Sequence, residues 1–379
     1  MSSIKVVAIN SVKEIKSYVR FKNNLYKGHK YAVPTLEMDE NTMLNKTKNP
    51  ASDFCEWQCY LAYNEQNEIV GRITAIINSN ANKTWNKKEG RFGFFDFVED
   101  IEVARALLNA AEQWIKTRGM TAIHGPLGFA DIDEEGMLVE GYDELSTMAS
   151  LYNYPYYIDF MNQLGYAKDS DWIEMSIKLP AEIPERVVKF ASLVEKKNEL
   201  RVLKFKNAKE IIKQGWAVKL FELINIQFAD LYGFTPFTER QIDYYCKMYI
   251  PLLRLELVCI IVDKDNNLVG FGLAFPSMSR ALQKSKGRMF PFGWFHMLRA
   301  LKGKKAEIVD LMLMAVDEKY KNKGLTAIVM YHVMTGMAKL GAKYVETNVE
   351  SEDNQTIHQQ WDKFDNRVHK RRRAFIKQL

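Results

Sequence analysis

Residues 316–330 read VDEKYKNKGLTAIVM, with Lys319, Lys321 and Lys323 just ahead of Gly324. An apolar run of strand character, residues 310–316, enters this stretch, and a run with helical spacing leaves it. A strand that passes through a short basic loop into a helix can hold an anion. The first N–H groups of a helix have no intrahelical partner and carry partial positive charge. Glycine tolerates positive φ and lets a bulky anion reach the backbone. Lys321, Asn322, Lys323, Gly324, Leu325 and Thr326 supply all of this. The competing reading is a solvated turn, for which Asn-Lys-Gly is equally good chemistry. The Walker pattern and the G-x-G-x-x-G fingerprint are both absent.

Acid–base candidates lie close by. In VDLMLMAV, Asp310 shares a strand face with Met312 and Met314 and is the leading candidate for a base. A solvent-facing acid at a strand end is the competing reading. Glu346 and His358 are lesser candidates, His358 also fitting a helix surface. The six histidines are scattered, and none has metal-ligand spacing with another histidine or a cysteine, so no metal is expected. DIDEEG opens like a calcium loop, but Tyr142 stands where position twelve needs an acid. Cys55, Cys59, Cys246 and Cys259 fit neither a disulfide framework nor a C-x-x-C site. Free thiols in a reducing cytoplasm are expected.

The elements that position these residues occur twice. Residues 67–77, NEIVGRITAII, resemble residues 266–275, NNLVGFGLAF, with Gly71 and Gly270 in matching places. Residues 104–125 answer residues 325–348. Ile101, Ala104, Leu107, Leu108, Ala111 and Ile115 keep helical spacing up to Gly119; Leu325, Ile328, Val329, Val333, Met337 and Leu340 keep it up to Gly341. YYIDFMNQLGYAK answers IHQQWDKFDNRVHK, each a short helix before a last strand. Three echoes in one order indicate a duplicated unit. The length of 379 residues, at about 150 per domain, also suggests two domains. The boundaries fall at 1–180 for an N-terminal domain, 181–198 for a linking helix and 199–379 for a C-terminal domain.

Only the second copy has the basic glycine loop. From Val98 to Gly119 is 21 positions and from Val316 to Gly341 is 25, a deficit of four if the valines correspond. The first copy reads FVEDIEVARALL there, with Glu99, Asp100 and Glu102 at the helix start. Asp100 is a good N-cap, and acids stabilise a first turn. The same acids would repel an anion, so the first-copy site is expected to be filled by its own carboxylates. The long aromatic connection at residues 125–157 reads either as a lid that stacks on substrate and attracts an amine, or as a loop packed on the sheet.

Composition is that of a globular protein, 47% apolar and 26% charged. No run nears the roughly 18 apolar residues that cross a bilayer, and the start lacks a secretion signal, so no membrane partner is expected. A net charge of +6 is compatible with anionic ligands. The basic end, NRVHKRRRAFIKQL, reads as an edge strand with Lys and Arg facing solvent rather than as a nucleic-acid contact.

LMLMAVDEKYKNKGLTAIVMYHVM resembles the acetyl-CoA motif of the GCN5-related N-acetyltransferases, V-x-P-x-Y-R-x-x-G-x-[GA] between a strand and a helix. Val316 and Tyr320 match its valine and aromatic. Lys321, Gly324 and Thr326 take its basic, glycine and last small positions, and Asn354 takes that of an asparagine that helps position the coenzyme. Glu318, Lys321, Thr326 and Trp361 depart from the pattern, Trp361 standing where many members have an acid tyrosine. Residues 125–157 resemble a segment of long bacterial acetyltransferase-like proteins through Gly125-Pro126, Glu140-Gly141-Tyr142-Asp143 and Asn153-Tyr154-Pro155-Tyr156-Tyr157. The resemblance implies an α/β (α+β) protein of two tandem GNAT-like domains, each a mixed, mostly antiparallel sheet flanked by helices. It further implies an N-acyltransferase that uses acetyl-CoA or another acyl-CoA on a small-molecule or peptide amine. The coenzyme would sit in the C-terminal domain, on Val316, Lys321, Asn322, Lys323, Gly324, Leu325, Thr326 and Asn354. The alternative is a non-catalytic coenzyme- or protein-binding protein of the same fold.

Overall fold

A computed structural model describes residues 4–379, the side chains of 355–357 excepted. Residues 1–3, at the head of the expected N-terminal domain, lie outside the described residues.

The first copy begins with β1 (Lys5–Ile9), α1 (Val12–Leu25) and α2 (Glu37–Met43). A capping box of Ser11 and Glu14 closes the start of α1. Then come β2 (Cys55–Tyr63), β3 (Ile69–Asn78), α3 (Ser79–Thr84), β4 (Glu89–Phe97), α4 (Ile101–Lys116) and β5 (Ala122–Gly125). After β6 (Met137–Glu140) the copy ends with α5 (Tyr156–Gln163) and β7 (Ala167–Lys178).

The segment expected to link the domains carries α6 (Glu185–Lys197), which falls within the second of two compact units. The second copy follows as β8 (Arg201–Val202), α7 (Lys209–Lys213), α8 (Trp216–Gln227), α9 (Glu239–Tyr249), β9 (Val258–Val262) and β10 (Leu268–Pro276). An insertion carries α10 (Ser279–Ser285) and α11 (Gly293–Lys302). Last come β11 (Ile308–Val316), α12 (Leu325–Lys339), β12 (Tyr344–Glu346), β13 (Glu350–Ser351), α13 (Gln355–Trp361) and β14 (Asp365–Gln378).

The chain divides into two compact units. Unit one takes the chain up to Ile173, with Ser279–Met297 and His369–Leu379; unit two takes Glu174–Met278 and Leu298–Val368. Both divisions cut a last strand. The tail of β7 pairs with β12 in unit two, and the tail of β14 pairs with β5 in unit one. Sequence repeat and compact unit are therefore different partitions of the chain.

In unit one the strand order is β1-β2-β3-β4-β5-β14-β7, with β4 and β5 parallel. In unit two it is β7-β12-β11-β10-β9-β8, with β11 and β12 parallel. Each unit thus has the mixed, mostly antiparallel strands flanked by helices that the sequence predicts. The spacing of α4 buries Val103, Ala104, Leu107, Leu108, Ala111 and Ile115. Gly71 on β3 lets that helix approach, since a Cβ there would lie 2.7 Å from Leu107 Cδ1. In the second copy α12 buries Leu325, Ile328, Val329, Val333 and Met337, and Gly272 on β10 gives the corresponding clearance beneath Val329.

The basic end corrects one expectation. β14 is an interior strand of unit one, paired with β5 and β6, and Lys370 and Arg372 are fully buried. Arg373 makes a two-pronged ion pair with Asp171 at 2.7 and 2.9 Å, and Lys377 reaches Glu112 at 2.9 Å. These charges are tied to carboxylates of the same unit, so the tail is not the solvent-facing basic edge read from sequence.

Candidate functional site

The β11–β12 pair makes a fork. The strands pair in parallel only from Ile308 with Tyr344 to Asp310 with Glu346. Next, the Thr347 amide donates to Met175 O at 2.9 Å, and Thr347 Oγ1 accepts from Met175 N at 2.9 Å. β12 thus stays with β7, while β11 continues with β10 alone. An extra residue in β11, Met312, shifts the β10 register at this point, and such bulges re-aim a strand beside active sites. Leu311, Met312, Leu313 and Met314 are only half-buried although β11 is an interior strand. Past the fork β11 therefore has a strand partner on one edge only, and its apolar side chains there are half-buried. Asp310 lies at the floor of the fork and is 3% exposed, which rules out the solvent-facing alternative.

About 20 Å further along the strand, six residues at ~3.3 Å each, Val316 leads into the basic junction. The Asp317 amide donates to Val269 O at 2.8 Å, and the Asp317 carboxylate accepts from the Lys319 amide at 2.8 Å. A three-ten turn, Glu318–Tyr320, follows. Asn322 and Gly324 take left-handed φ of 63° and 86°. Gly324 is the N-cap of α12, and no side chain caps that helix. The amides of Asn322, Gly324, Leu325 and Thr326 have no acceptor among the described residues. Lys321 pairs with Glu318 at 2.8 Å on the surface, and Lys323 Nζ lies 4.8 Å from the Tyr320 ring centre. The junction thus offers open N–H groups with lysines at their rim. Gly324 has a further reason to be glycine. A Cβ there would lie 2.9 Å from Val194 Cγ2 and 3.1 Å from the Phe190 ring, because α6 packs against α12.

Asn354 stands apart from that loop, in the turn before α13. Its amide donates to Ser351 O at 3.0 Å, and its carbonyl accepts from the His358 amide at 3.2 Å. That turn also orients an acid missed in the sequence. Glu350, four residues past the fork, accepts from Trp361 Nε1 at 3.3 Å. Its other oxygen lies 3.9 Å from His358 Nε2, and neither of those two atoms has a hydrogen-bond partner among the described residues. Burial pushes the Glu350 carboxyl up to about 7, against the opposing hydrogen bond from Trp361. A carboxyl with that affinity can take a proton near neutrality. His358 is therefore not a plain surface residue, and Trp361 is a buried donor. The segment VESEDN gave no signal for Glu350, because four of its six residues are acids or amides without periodicity.

The equivalent region of unit one is closed. Gly71 pairs with Phe97 as Gly270 pairs with Val316, so Phe97, not Val98, is the counterpart of Val316. Three residues (98–100) then precede α4, against eight (317–324) before α12, so the loop is five residues shorter rather than four. Asp100 caps α4 by accepting from the Glu102 amide at 2.9 Å. β4 carries a bulge too and parts from β5 after Arg91, but the 125–157 connection fills that fork. The Leu127 amide donates to Phe92 O at 2.9 Å. Tyr157 Oη accepts from Phe97 N at 2.9 Å, Tyr156 Oη donates to Phe97 O at 2.7 Å, and the Tyr157 ring stacks on Phe97 at 4.1 Å. For Tyr156 and Tyr157 the packing reading holds. An open cleft of about 460 Å³ remains outside them, lined by Leu25, Val98, Glu99, Tyr154, Pro155 and Tyr156. Among the DIDEEG acids, Glu134 pairs with Lys22 of α1 at 3.0 Å, and Asp133 serves the loop itself. Asp133 accepts from the Phe129 and Ala130 amides at 2.8 and 3.0 Å, and burial pushes its carboxyl up to about 6. Among the described residues no group of His, Cys, Asp and Glu could hold a metal ion.

Parts of the chain are similar to known proteins. Residues 218–360 match the acetyltransferase (GNAT) family. Protein YghO of Escherichia coli K12 is 29% identical over 315 residues, 81% of this chain and 77% of that one. A bacterial ceramide synthase of Caulobacter vibrioides is 27% identical over 324 residues, 84% of this chain and 82% of that one. A tandem GNAT protein from the clavulanic acid biosynthesis pathway shares the fold over 99% of this chain and 98% of its own, with a TM-score of 0.56 at 10% identity. Residues 218–360 thus form an N-acetyltransferase-like (GNAT) domain, and the chain has the fold of a tandem GNAT protein.

Proposed function

We propose that the chain transfers an acyl group from an acyl-CoA to an amine, and that the second copy holds the coenzyme. The observation that carries this is the continuity of the open β11 edge with the uncapped start of α12. The amides of Asn322, Gly324, Leu325 and Thr326 would hold the diphosphate, with Lys321 and Lys323 at its rim and Val316 beside it. Asn354 would position the coenzyme from the α13 side. The co-substrate supplies an activated thioester. Its arm would lie along β11 toward the fork, where Leu311, Met312, Leu313 and Met314 offer an apolar wall. That wall suits a longer acyl chain as well as acetyl. The similarity to a protein named a bacterial ceramide synthase points to the same chemistry, because a ceramide is an N-acyl amide.

The amine must be neutral to attack. Glu350 is the better-tuned proton acceptor, with His358 beside it, and Asp310 is the acceptor at the floor of the fork. A C–N bond forms and the C–S bond breaks. The amine proton passes to the carboxylate, which hands it on to the departing thiolate, so the coenzyme leaves as its thiol. Domain 199–379 would do this chemistry, while domain 1–180 would brace it and 181–198 would join them.

A second reading is a coenzyme or protein binder without turnover. It is favoured by Trp361, whose indole N–H is no acid for a departing thiolate. The test is thiol release from acetyl-, medium- and long-chain acyl-CoA with a panel of amines. Release that falls at least tenfold in Glu350→Gln or Asp310→Asn supports transfer and identifies the base. Coenzyme binding with no release across the panel supports the second reading.

A further inference from the structure

The insertion between β10 and β11 is the least explained part of the chain. It spans 31 residues (277–307), where the first copy uses ten (79–88) between β3 and β4. Its base is fastened within unit one. Ser279 Oγ donates to Ser146 O at 2.8 Å, and Gln283 Nε2 donates to Lys30 O and Ala32 O at 3.0 Å. The Glu37 amide donates to Gly287 O at 2.9 Å, and Arg288 pairs with Glu37 at 2.8 Å.

Beyond that base the segment MFPFGWF turns its apolar side chains outward. Phe290 is 80% and Phe292 70% exposed, and Trp294, Phe295 and Leu298 are close to half exposed. Single exposed apolar residues are ordinary; five within nine positions are not. On α11, Trp294, Phe295 and Leu298 fall within one 100° arc by helical spacing. Several donors of the tip are paired within it. Trp294 Nε1 donates to Pro291 O at 3.1 Å, the Trp294 amide to Met289 O at 2.8 Å, and the Phe295 amide to Phe292 O at 3.1 Å. Residues 284–305 contain seven Lys or Arg and no Asp or Glu.

We propose that the segment 288–302 is a membrane-surface anchor that lays its aromatic residues into the interface of an anionic lipid bilayer. The pairing of an exposed Trp/Phe/Leu ridge with an acid-free basic flank is the pattern of a helix lying in that interface. Each donor paired within the tip is one fewer to oppose burial in lipid. The basic flank selects negative headgroups over an uncharged apolar partner. The sequence expectation of no membrane partner rested on the lack of a spanning run, and a surface anchor needs none. This inference does not depend on the acyl-transfer reading.

The test is co-sedimentation of the whole chain with vesicles of phosphatidylcholine alone and of phosphatidylcholine mixed with phosphatidylglycerol. Binding is expected to the mixed vesicles and to weaken as salt rises. The double variant Phe290→Ser with Phe292→Ser should bind at least about tenfold more weakly, given the apolar area removed. Lys302→Glu with Lys304→Glu should lose the preference for anionic vesicles. These positions are exposed, and unchanged thermal unfolding would show that each variant is folded. Absence of binding to the mixed vesicles, or equal binding by the folded double variant, overturns the proposal. So does a wild-type dimer in sedimentation velocity that Phe290→Ser with Phe292→Ser dissociates, because the ridge would then be a contact between copies.

Discussion

The two strand–helix junctions began from one plan and ended in opposite states. In unit one, Asp100 caps α4, tyrosine hydroxyls take both backbone groups of Phe97, and β4 is buried nearly throughout. In unit two, α12 starts on an uncapped Gly324, its first amides are open, and β11 is half-buried beyond the fork. The same parallel pair, bulge and helix can therefore be an open junction or a sealed core. The difference lies in whether the chain's own side chains satisfy the groups that the plan leaves open. A sealed copy gains hydrogen bonds and aromatic packing, and an open copy leaves its donors accessible.

The largest test copies the charge of one junction into the other. Thr326→Glu puts a carboxylate in the first turn of α12, where α4 has Glu102. Like charges at 4 Å repel by about 4 kcal/mol at an effective dielectric of 20. Acetyl-CoA binding measured by calorimetry should weaken at least about thirtyfold. Thermal unfolding should hold or improve, because an acid favours that helix end. Wild type should bind one coenzyme per chain, and a stoichiometry of two would break the contrast between the copies. Gly324 is a poor probe, since any side chain there collides with Val194 and Phe190.

Next in size is the seal itself. Tyr157→Phe leaves the Phe97 amide without its acceptor and should destabilise the chain by about 1–3 kcal/mol in denaturant unfolding. Coenzyme binding should not change.

Glu350→Gln probes the open copy. Burial raises the folded-state affinity of this carboxyl for a proton, so its protonated form favours the fold. Its contribution to stability is therefore lost as pH climbs from the ordinary carboxylate range through about 7. The variant should be more stable than wild type at pH 8 by on the order of 2 kcal/mol. Thiol release should lose its rising limb near pH 7 while coenzyme affinity stays. A retained limb would move the base to Asp310.

The smallest effect is expected at the cap. Asp100→Ala should cost about 1 kcal/mol in unfolding and leave coenzyme binding unchanged.

Much of the frame was legible in the chain. Apolar residues at helical spacing marked α4 and α12, and Gly119 and Gly341 marked their ends with φ of 79° and 68°. The Asn67 and Asn266 turns repeat with φ of 61° and 62°. The open junction was legible because its lysines and glycine are consecutive. Glu350 was not, because nothing near it in sequence announces burial. The basic end was misread because residues 369–378 carry the charges of an exposed strand, yet their carboxylate partners, Asp171 and Glu112, lie about 200 positions or more away.

The sequence by itself determined the repeated strand–helix frame, the glycine ends of α4 and α12, and the sign of charge at each junction. These depend on neighbours within a few residues, where spacing, capping and φ preference act. Tertiary structure alone decided that Tyr156 and Tyr157 reach Phe97, that β11 is left with one strand partner past Asp310, and that Glu350 sits where its charge is disfavoured. Burial and desolvation depend on which distant segments meet, and that is set by the packing of the whole unit rather than by local pattern.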